Sequence, residues 1–210
     1  MVIYGCFPDQ KLRLKMKLSS LCGILRKVTS FIPQKWLLKL YISLIHSRLQ
    51  YLVAIWGSAC KSNLRELQVI QNRCLKTVLR KPFWSSTVQL YSGEKDVILP
   101  IKALHEFQTL TYVHKLIMDP SLHHNIVVRR IQYSRASRQT GNFLLARPNT
   151  MMRRRKITYN GFKSHNALPQ VCKSASNLNS FKTMLRKHIK LKIDQYLMRN
   201  STVSDMTGLN

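Results

Sequence analysis

Between Ser62 and Arg80 the apolar residues recur at the period of an α-helix, and this repeat constrains the fold more than any other feature of the chain. At about 100° per residue, Leu64, Leu67, Ile70, Cys74, Leu75, Val78 and Leu79 fall on one half of the wheel. Ser62 is placed to cap the segment, and Pro82 closes it just beyond Arg80. Such a stripe must be buried against other elements, and the same period supplies them. Asp9–Ser30 carries Leu14, Leu18, Leu21 and Leu25. Pro33 opens a second segment that reaches Trp56, with Gly57 as its stop. Its wide stripe holds Leu37, Leu40, Tyr41, Leu44, Ile45, Leu52, Ile55 and Trp56. Pro100 opens a further helix to Met118, with Ala103, Leu104, Phe107, Leu110, His114 and Ile117 within roughly 140° of its wheel. A last helix, from Asn177 to Met198, places Leu178, Phe181, Leu185, Ile189 and Tyr196 on one side. The chain is therefore expected to be mainly α, a bundle of about five or six helices with a long basic, mostly irregular loop.

Charge limits what such a bundle binds. Thirty-five Lys and Arg stand against eight Asp and Glu among 210 residues, a net charge of +27. A surface of this kind repels itself unless a polyanion neutralises it, and nucleic acid is the commonest such partner. Anionic membrane surface is the second candidate. The most apolar stretch, around Trp36 to Trp56, is interrupted by Lys39, His46 and Arg48, so no uncharged run approaches the roughly 20 residues of a membrane span. The start, Met1 to Lys17, reverses the order of a secretory signal. The cysteines Cys6, Cys22, Cys60, Cys74 and Cys172 are odd in number and irregularly spaced, which implies reduced thiols and an intracellular, nuclear or cytoplasmic, protein.

The cations are not spread evenly. Arg65, Arg73, Lys76 and Arg80 fall within roughly 80° on the side of their helix away from its apolar stripe. They read either as a solvated basic face or as a track for a phosphate backbone. Ser121 to Lys156 has nine Lys and Arg, eight of them Arg, and no Asp or Glu. It reads as a long basic loop ending in the run Arg153, Arg154, Arg155 and Lys156, suited to bidentate phosphate contact or to nuclear targeting. Acidic residues gather instead between Gly93 and Pro120, which holds four of the eight.

Local signals for catalysis are missing. Holding two divalent metals for polymerisation takes clustered carboxylates, whereas the eight here are dispersed. Glu94 and Asp96 read as a turn feature, His123-His124 as a surface pair, and His114 as a satisfied histidine at the core edge. No nucleophile elbow, zinc-protease motif or Gly-rich phosphate loop is present. The residues thus indicate no catalytic site, metal site or cofactor.

Several short motifs occur together in order. Leu40-Tyr41, Ser43-Leu44-Ile45, Ser47, Leu49, Tyr51 and Trp56-Gly57 come first. Leu64, Leu67 and Ile70-Gln71-Asn72-Arg73 follow, and then Ile98-Leu99-Pro100-Ile101. Tyr159, Gly161, Asn166, Leu168-Pro169 and Ser180-Phe181-Lys182 close the set. From about Asp9 to Lys192 the chain resembles the part that follows the polymerase palm in jockey-like non-LTR (LINE-type) retrotransposon reverse transcriptases. It departs from that pattern at Leu52, where the family has Gly, at His165, where it has Trp, and at Leu14 and Lys17, where it has Trp and His.

The resemblance implies descent from an RNA-directed DNA polymerase, with the acid-bearing palm and the endonuclease lying before Met1. It implies a thumb-like helical region over residues 1–120, an Arg-rich linker over 121–156, a C-terminal motif and helix over 157–198 and a disordered tail over 199–210. The expected activity is non-catalytic, sequence-nonspecific binding of RNA or DNA backbone by Arg65, Arg73, Lys76, Arg80, Arg153, Arg154, Arg155 and Lys156. A separately encoded polymerase palm is a further partner, the chain then supplying a thumb in trans. The other readings are a basic module for acidic proteins or membrane surfaces, and a decayed element fragment without selected function.

Overall fold

A computed structural model describes residues 7–51, 53–58, 61–87, 90–91, 98–119, 121, 142–145 and 147–201, with backbone alone at 7–11, 55, 61, 152 and 196–201. Outside the described residues lie Glu94, Asp96, His123, His124, Cys6, Cys60, most of the basic loop and the tail beyond Ser201. Secondary structure among the described residues is helical, without a strand element. By packing, the chain divides into one unit of Met1–Leu104 with Ile193–Asn210 and another of His105–Lys192.

In the first unit, α1 (Phe7–Val28) buries Leu18 and Leu25, two turns apart on the predicted stripe. Thr29 ends it by donating its hydroxyl to the Leu25 carbonyl at 2.6 Å. Pro33 then precedes α2 (Gln34–Tyr41), where its missing N–H costs nothing.

The long second helix expected through Trp56 is not continuous. A π-helical turn occupies Ile42–His46, followed by α3 (Ser47–Gln50). Tyr51 leaves the helix at ψ 119°, and α4 (Val53–Trp56) resumes after it. The buried residues Leu37, Tyr41, Ile45 and Leu49 explain the π turn. They are spaced by four, so on a pure α-helix each would advance about 40° around the axis. One wider turn brings the stripe back toward the core. At the break, the Trp56 indole N–H donates to the Tyr51 carbonyl at 2.8 Å, satisfying a group that the interrupted helix leaves open.

α5 (Lys61–Val78) starts one residue before the expected Ser62 cap and buries Leu67, Ile70, Cys74, Leu75 and Val78. It packs along α1. It also ends before Arg80, which was expected inside the helix. Arg80 has φ 52°, its N–H donates to the Thr77 carbonyl, and the Lys81 N–H donates to the Lys76 carbonyl. This is a Schellman stop with arginine where glycine is usual.

A polar network then ties α5 to the chain beyond it. Buried Gln71 donates to the Leu99 carbonyl at 2.9 Å and the Tyr41 hydroxyl at 3.3 Å. Gln68 donates to the Tyr91 hydroxyl at 2.7 Å and accepts the Ile101 N–H at 2.9 Å. Burial drives the Tyr41 and Tyr91 phenols upward, so both stay protonated as hydrogen-bonding groups. The Ile101 contact also satisfies an opening N–H of α6 (Ile101–Met118).

The unit boundary falls within α6. In the second unit this helix buries Phe107, Thr109, Leu110, Thr111, Val113, His114 and Leu116, a wider face than the single predicted stripe. Residues 153–156, expected in an irregular loop, are in part helical. Thr150 caps α7 (Met151–Arg155) by accepting the Arg153 N–H at 3.3 Å, and Lys156 returns to extended backbone. The cap overrides the like charges that follow it.

α8 (Ile157–Asn166) approaches α6 closely at Gly161, where an added Cβ would stand 2.8 Å from a Val113 methyl. Asn166 pairs its amide with both backbone groups of Phe143, each at 2.9 Å. Lys173, at the end of α9 (Gln170–Lys173), donates to the Asn166 carbonyl at 2.8 Å. Asn177 then caps α10 (Leu178–Ser201) by accepting the Asn179 N–H at 3.1 Å. α10 buries Phe181, Leu185 and Ile189, as expected, and passes the predicted helix end at Met198. No helix among the described residues is long and apolar enough to cross a membrane.

Candidate functional site

In the first unit an open groove of about 550 Å³ runs between α1 and α5 and onto the turn after α5. Ser19, Cys22, Gly23 and Arg26 line it from α1, a set spaced by three or four residues and therefore on one helical edge. Ile70, Arg73, Lys76 and Thr77 form the facing edge, and Lys81 and Phe83 close the end. Four cations line this groove, with no carboxylate among the lining residues. Gly23 gives it depth, because a Cβ there would meet nothing within 4 Å.

The four cations predicted on α5 have different surroundings. Arg73 is exposed and lines the groove. Arg65 is exposed but does not line it. Lys76 lines it and also donates to the Phe83 carbonyl, its ammonium 5.5 Å from the Phe83 ring centroid. Arg80 turns away to donate to the carbonyls of Thr29 at 2.9 Å and Ile32 at 3.0 Å, just past the end of α1. A cation at these unpaired carbonyls answers the negative end of the helix dipole. Arg153, Arg154, Arg155 and Lys156 are exposed in the second unit, on and just after α7.

Arg26 and Lys81 are groove cations that the single-helix wheel could not select. The only signal for Arg26 was its place after Ser19, Cys22 and Gly23, and nothing local says which helix that edge faces. Aromatic side chains are exposed at the same turns. Phe83 is 72% and Trp84 86% exposed, and Phe31, in the turn that Arg80 grips, is 85% exposed.

Cys22 is half-buried at the groove wall, and Cys74 is buried behind it. A hydrogen bond from the Cys74 thiol, aided by the charges of Arg73 and Arg26, outweighs burial and lowers the Cys22 thiol to about 7. The same contact and its own burial push Cys74 up. Among the described residues, no three His, Cys, Asp or Glu are grouped to hold a metal ion. No protein-family model, no curated protein and no solved structure matches the chain.

Proposed function

We propose that this chain is a non-catalytic, thumb-like remnant of a jockey-like non-LTR retrotransposon reverse transcriptase, and that it binds RNA or DNA through the phosphate backbone. The groove between α1 and α5 carries the binding part of the reading. Arg26, Arg73, Lys76 and Lys81 bring positive charge to a groove whose lining residues include no carboxylate, and the hydroxyls of Ser19 and Thr77 add donors for phosphate oxygens. Phe83 offers a ring on which a base stacks. The ancestry is supported by the order of the motifs. Several motif residues also have structural work: Gln71 and Asn166 hold backbone, Gly161 permits close helix packing, and Phe181 is fully buried.

Titration with RNA and with DNA at two ionic strengths tests the proposal. Four phosphate contacts imply about a hundredfold loss of affinity between roughly 50 and 200 mM salt. Replacing Arg26 and Arg73 by alanine should lower the salt slope by about two. Binding insensitive to salt sinks the electrostatic account. Primer extension by the isolated chain should stay at background, and extension restored by an added palm would instead support a thumb working in trans.

A second reading rests on the exposed rings of Phe31, Phe83 and Trp84 beside basic residues, which also suit an anionic membrane surface. Flotation with anionic liposomes, competed by nucleic acid, separates the two.

A further inference from the structure

The three most exposed large apolar side chains among the described residues are Trp84, Phe31 and Phe83, and they stand on two turns that the fold ties together. Phe83 and Trp84 are the central pair of a turn closed twice over. The Ser85 N–H donates to the Pro82 carbonyl at 3.1 Å, and the Ser85 hydroxyl donates to the same oxygen at 2.7 Å. Lys76 holds this turn to α5 by donating to the Phe83 carbonyl. Phe31 lies in the turn after α1, where its own N–H and that of Ile32 both donate to the Val28 carbonyl at 3.1 Å. Arg80 joins the two turns, because its guanidinium holds the carbonyls on either side of Phe31, at Thr29 and Ile32. We propose that these rings form a stacking platform for the unpaired bases of a single strand of nucleic acid whose phosphates enter the groove between α1 and α5, so that the chain prefers single strands to duplex. The proposal rests on the reading of that groove as a nucleic-acid site.

Groove and platform meet at Phe83. Arg73 and Lys76 line the groove and Phe83 closes its end, so a strand tracked by the cations arrives at the turn that carries Trp84. Every base has a π-face, and stacking it on an aromatic ring is favourable whatever the base. In a duplex those faces are already stacked on neighbouring bases, and the rings gain nothing. A track of cations alone has the opposite preference, because duplex carries the denser phosphate charge. Preference for a single strand is therefore the signature that separates rings from charge. The turns are also ordered before a strand arrives, so little backbone freedom is lost on binding.

A bilayer surface fits this geometry less well. An interfacial anchor lays its apolar face into one plane, whereas Phe83 closes the end of a concave groove. The Lys76 ammonium lies 5.5 Å from the Phe83 ring centroid, so seating this ring among acyl chains would take a charge with it. Beside a stacked base, the same ammonium meets a phosphate oxygen instead.

The test uses the full chain and three DNA probes of equal length: a mixed-sequence single strand, the same strand annealed to its complement, and a strand of abasic sugars with the same phosphates. At one moderate salt concentration the single strand should bind at least about tenfold tighter than either the duplex or the abasic strand. It should also quench tryptophan emission. W84L should lose about fivefold or more in single-strand affinity together with most of the quenching, and F31L should lose affinity in the same direction. R73A should weaken all three probes alike. Equal or tighter binding of the duplex or the abasic strand by the wild-type chain overturns the platform and leaves the groove reading in place. Unchanged single-strand affinity in W84L does the same, including the case in which W84L instead loses binding to phosphatidylserine vesicles. No salt-sensitive binding to any probe removes the groove reading and the platform together. The probe comparison on the wild-type chain needs no variant to fold.

Discussion

The imidazole of His114 on α6 lies flat against the ring of Phe181 on α10, with 3.9 Å between centroids and 2° between planes. His114 is buried, and its Nε2 has no hydrogen-bond partner. Burial lowers its pKa from the ordinary 6.5, so the native packing favours the neutral ring. The unfolded chain takes up a proton more readily below that value. Stability should therefore hold above about pH 6.5 and fall as pH drops toward the lower native pKa. His188, lowered in the same direction, adds to the slope. Urea unfolding followed by circular dichroism across this range should give a shallower pH dependence for H114F than for the wild type. An unchanged slope would remove His114 from the account.

Gly161 sets the distance between α8 and α6. A Cβ at this position would lie 2.8 Å from Val113 Cγ2 and 3.3 Å from Thr109 Cγ2 and Ile157 Cγ2. Val113 is fully buried and branched at Cβ, so it has little room to move aside. G161A should destabilise the fold by about 1–3 kcal/mol despite alanine's better helix propensity. In a double-mutant cycle with V113A the two losses should be markedly less than additive. Additive losses would mean that the helices separate at no energetic penalty.

Arg80 combines an unfavourable backbone with a favourable side chain. Its φ of 52° carries a penalty that glycine avoids, while its guanidinium holds the carbonyls of Thr29 and Ile32. R80A should lose about 1–2 kcal/mol, discounted for exposure, because it keeps the strain and drops the bonds. R80G should recover about 1 kcal/mol of that loss. Thermal unfolding with the order wild type, R80G, R80A is expected. The reverse order for the two variants would show that backbone strain is absent.

Gly23 offers a way to close the groove without disturbing the fold. Since a Cβ there meets nothing, G23A should raise stability by about 1 kcal/mol through helix propensity alone. G23L should retain that stability while projecting into the groove, and its affinity for RNA or DNA should fall on the order of tenfold, about 1.4 kcal/mol. Bound nucleic acid should also slow alkylation of Cys22 in the wild-type chain. Unchanged affinity in G23L, with bound nucleic acid leaving wild-type Cys22 open to reagent, would place nucleic-acid binding elsewhere, including the exposed Arg153–Lys156 cluster.

Much of the helical order was legible because it is local. The stripe on Ser62–Arg80, the leucines of α1, the start of α6 at Pro100 and the face of α10 around Phe181 each follow from spacing within one segment. Two departures from the expected helices are local in origin as well. The spacing of four in Leu37, Tyr41, Ile45 and Leu49 already contained the phase problem that the π turn resolves. Thr150 is a good cap directly before an Arg run, and its bond to the Arg153 N–H outweighs the repulsion among the charges that follow.

The candidate site was legible only in part. Arg73 and Lys76 stood out on their own helix, but so did Arg80, which the tertiary structure assigns to the carbonyls past the end of α1. Arg26, Lys81, Gly23 and the Cys22–Cys74 contact lie across helices, and the linear sequence does not encode which edges meet. By itself, then, the sequence determined a helical chain with a large excess of cations, because periodicity and charge are properties of segments. The tertiary structure alone decided which cations cap helices and which line the groove, because pairing two helix edges depends on how both apolar stripes are buried together.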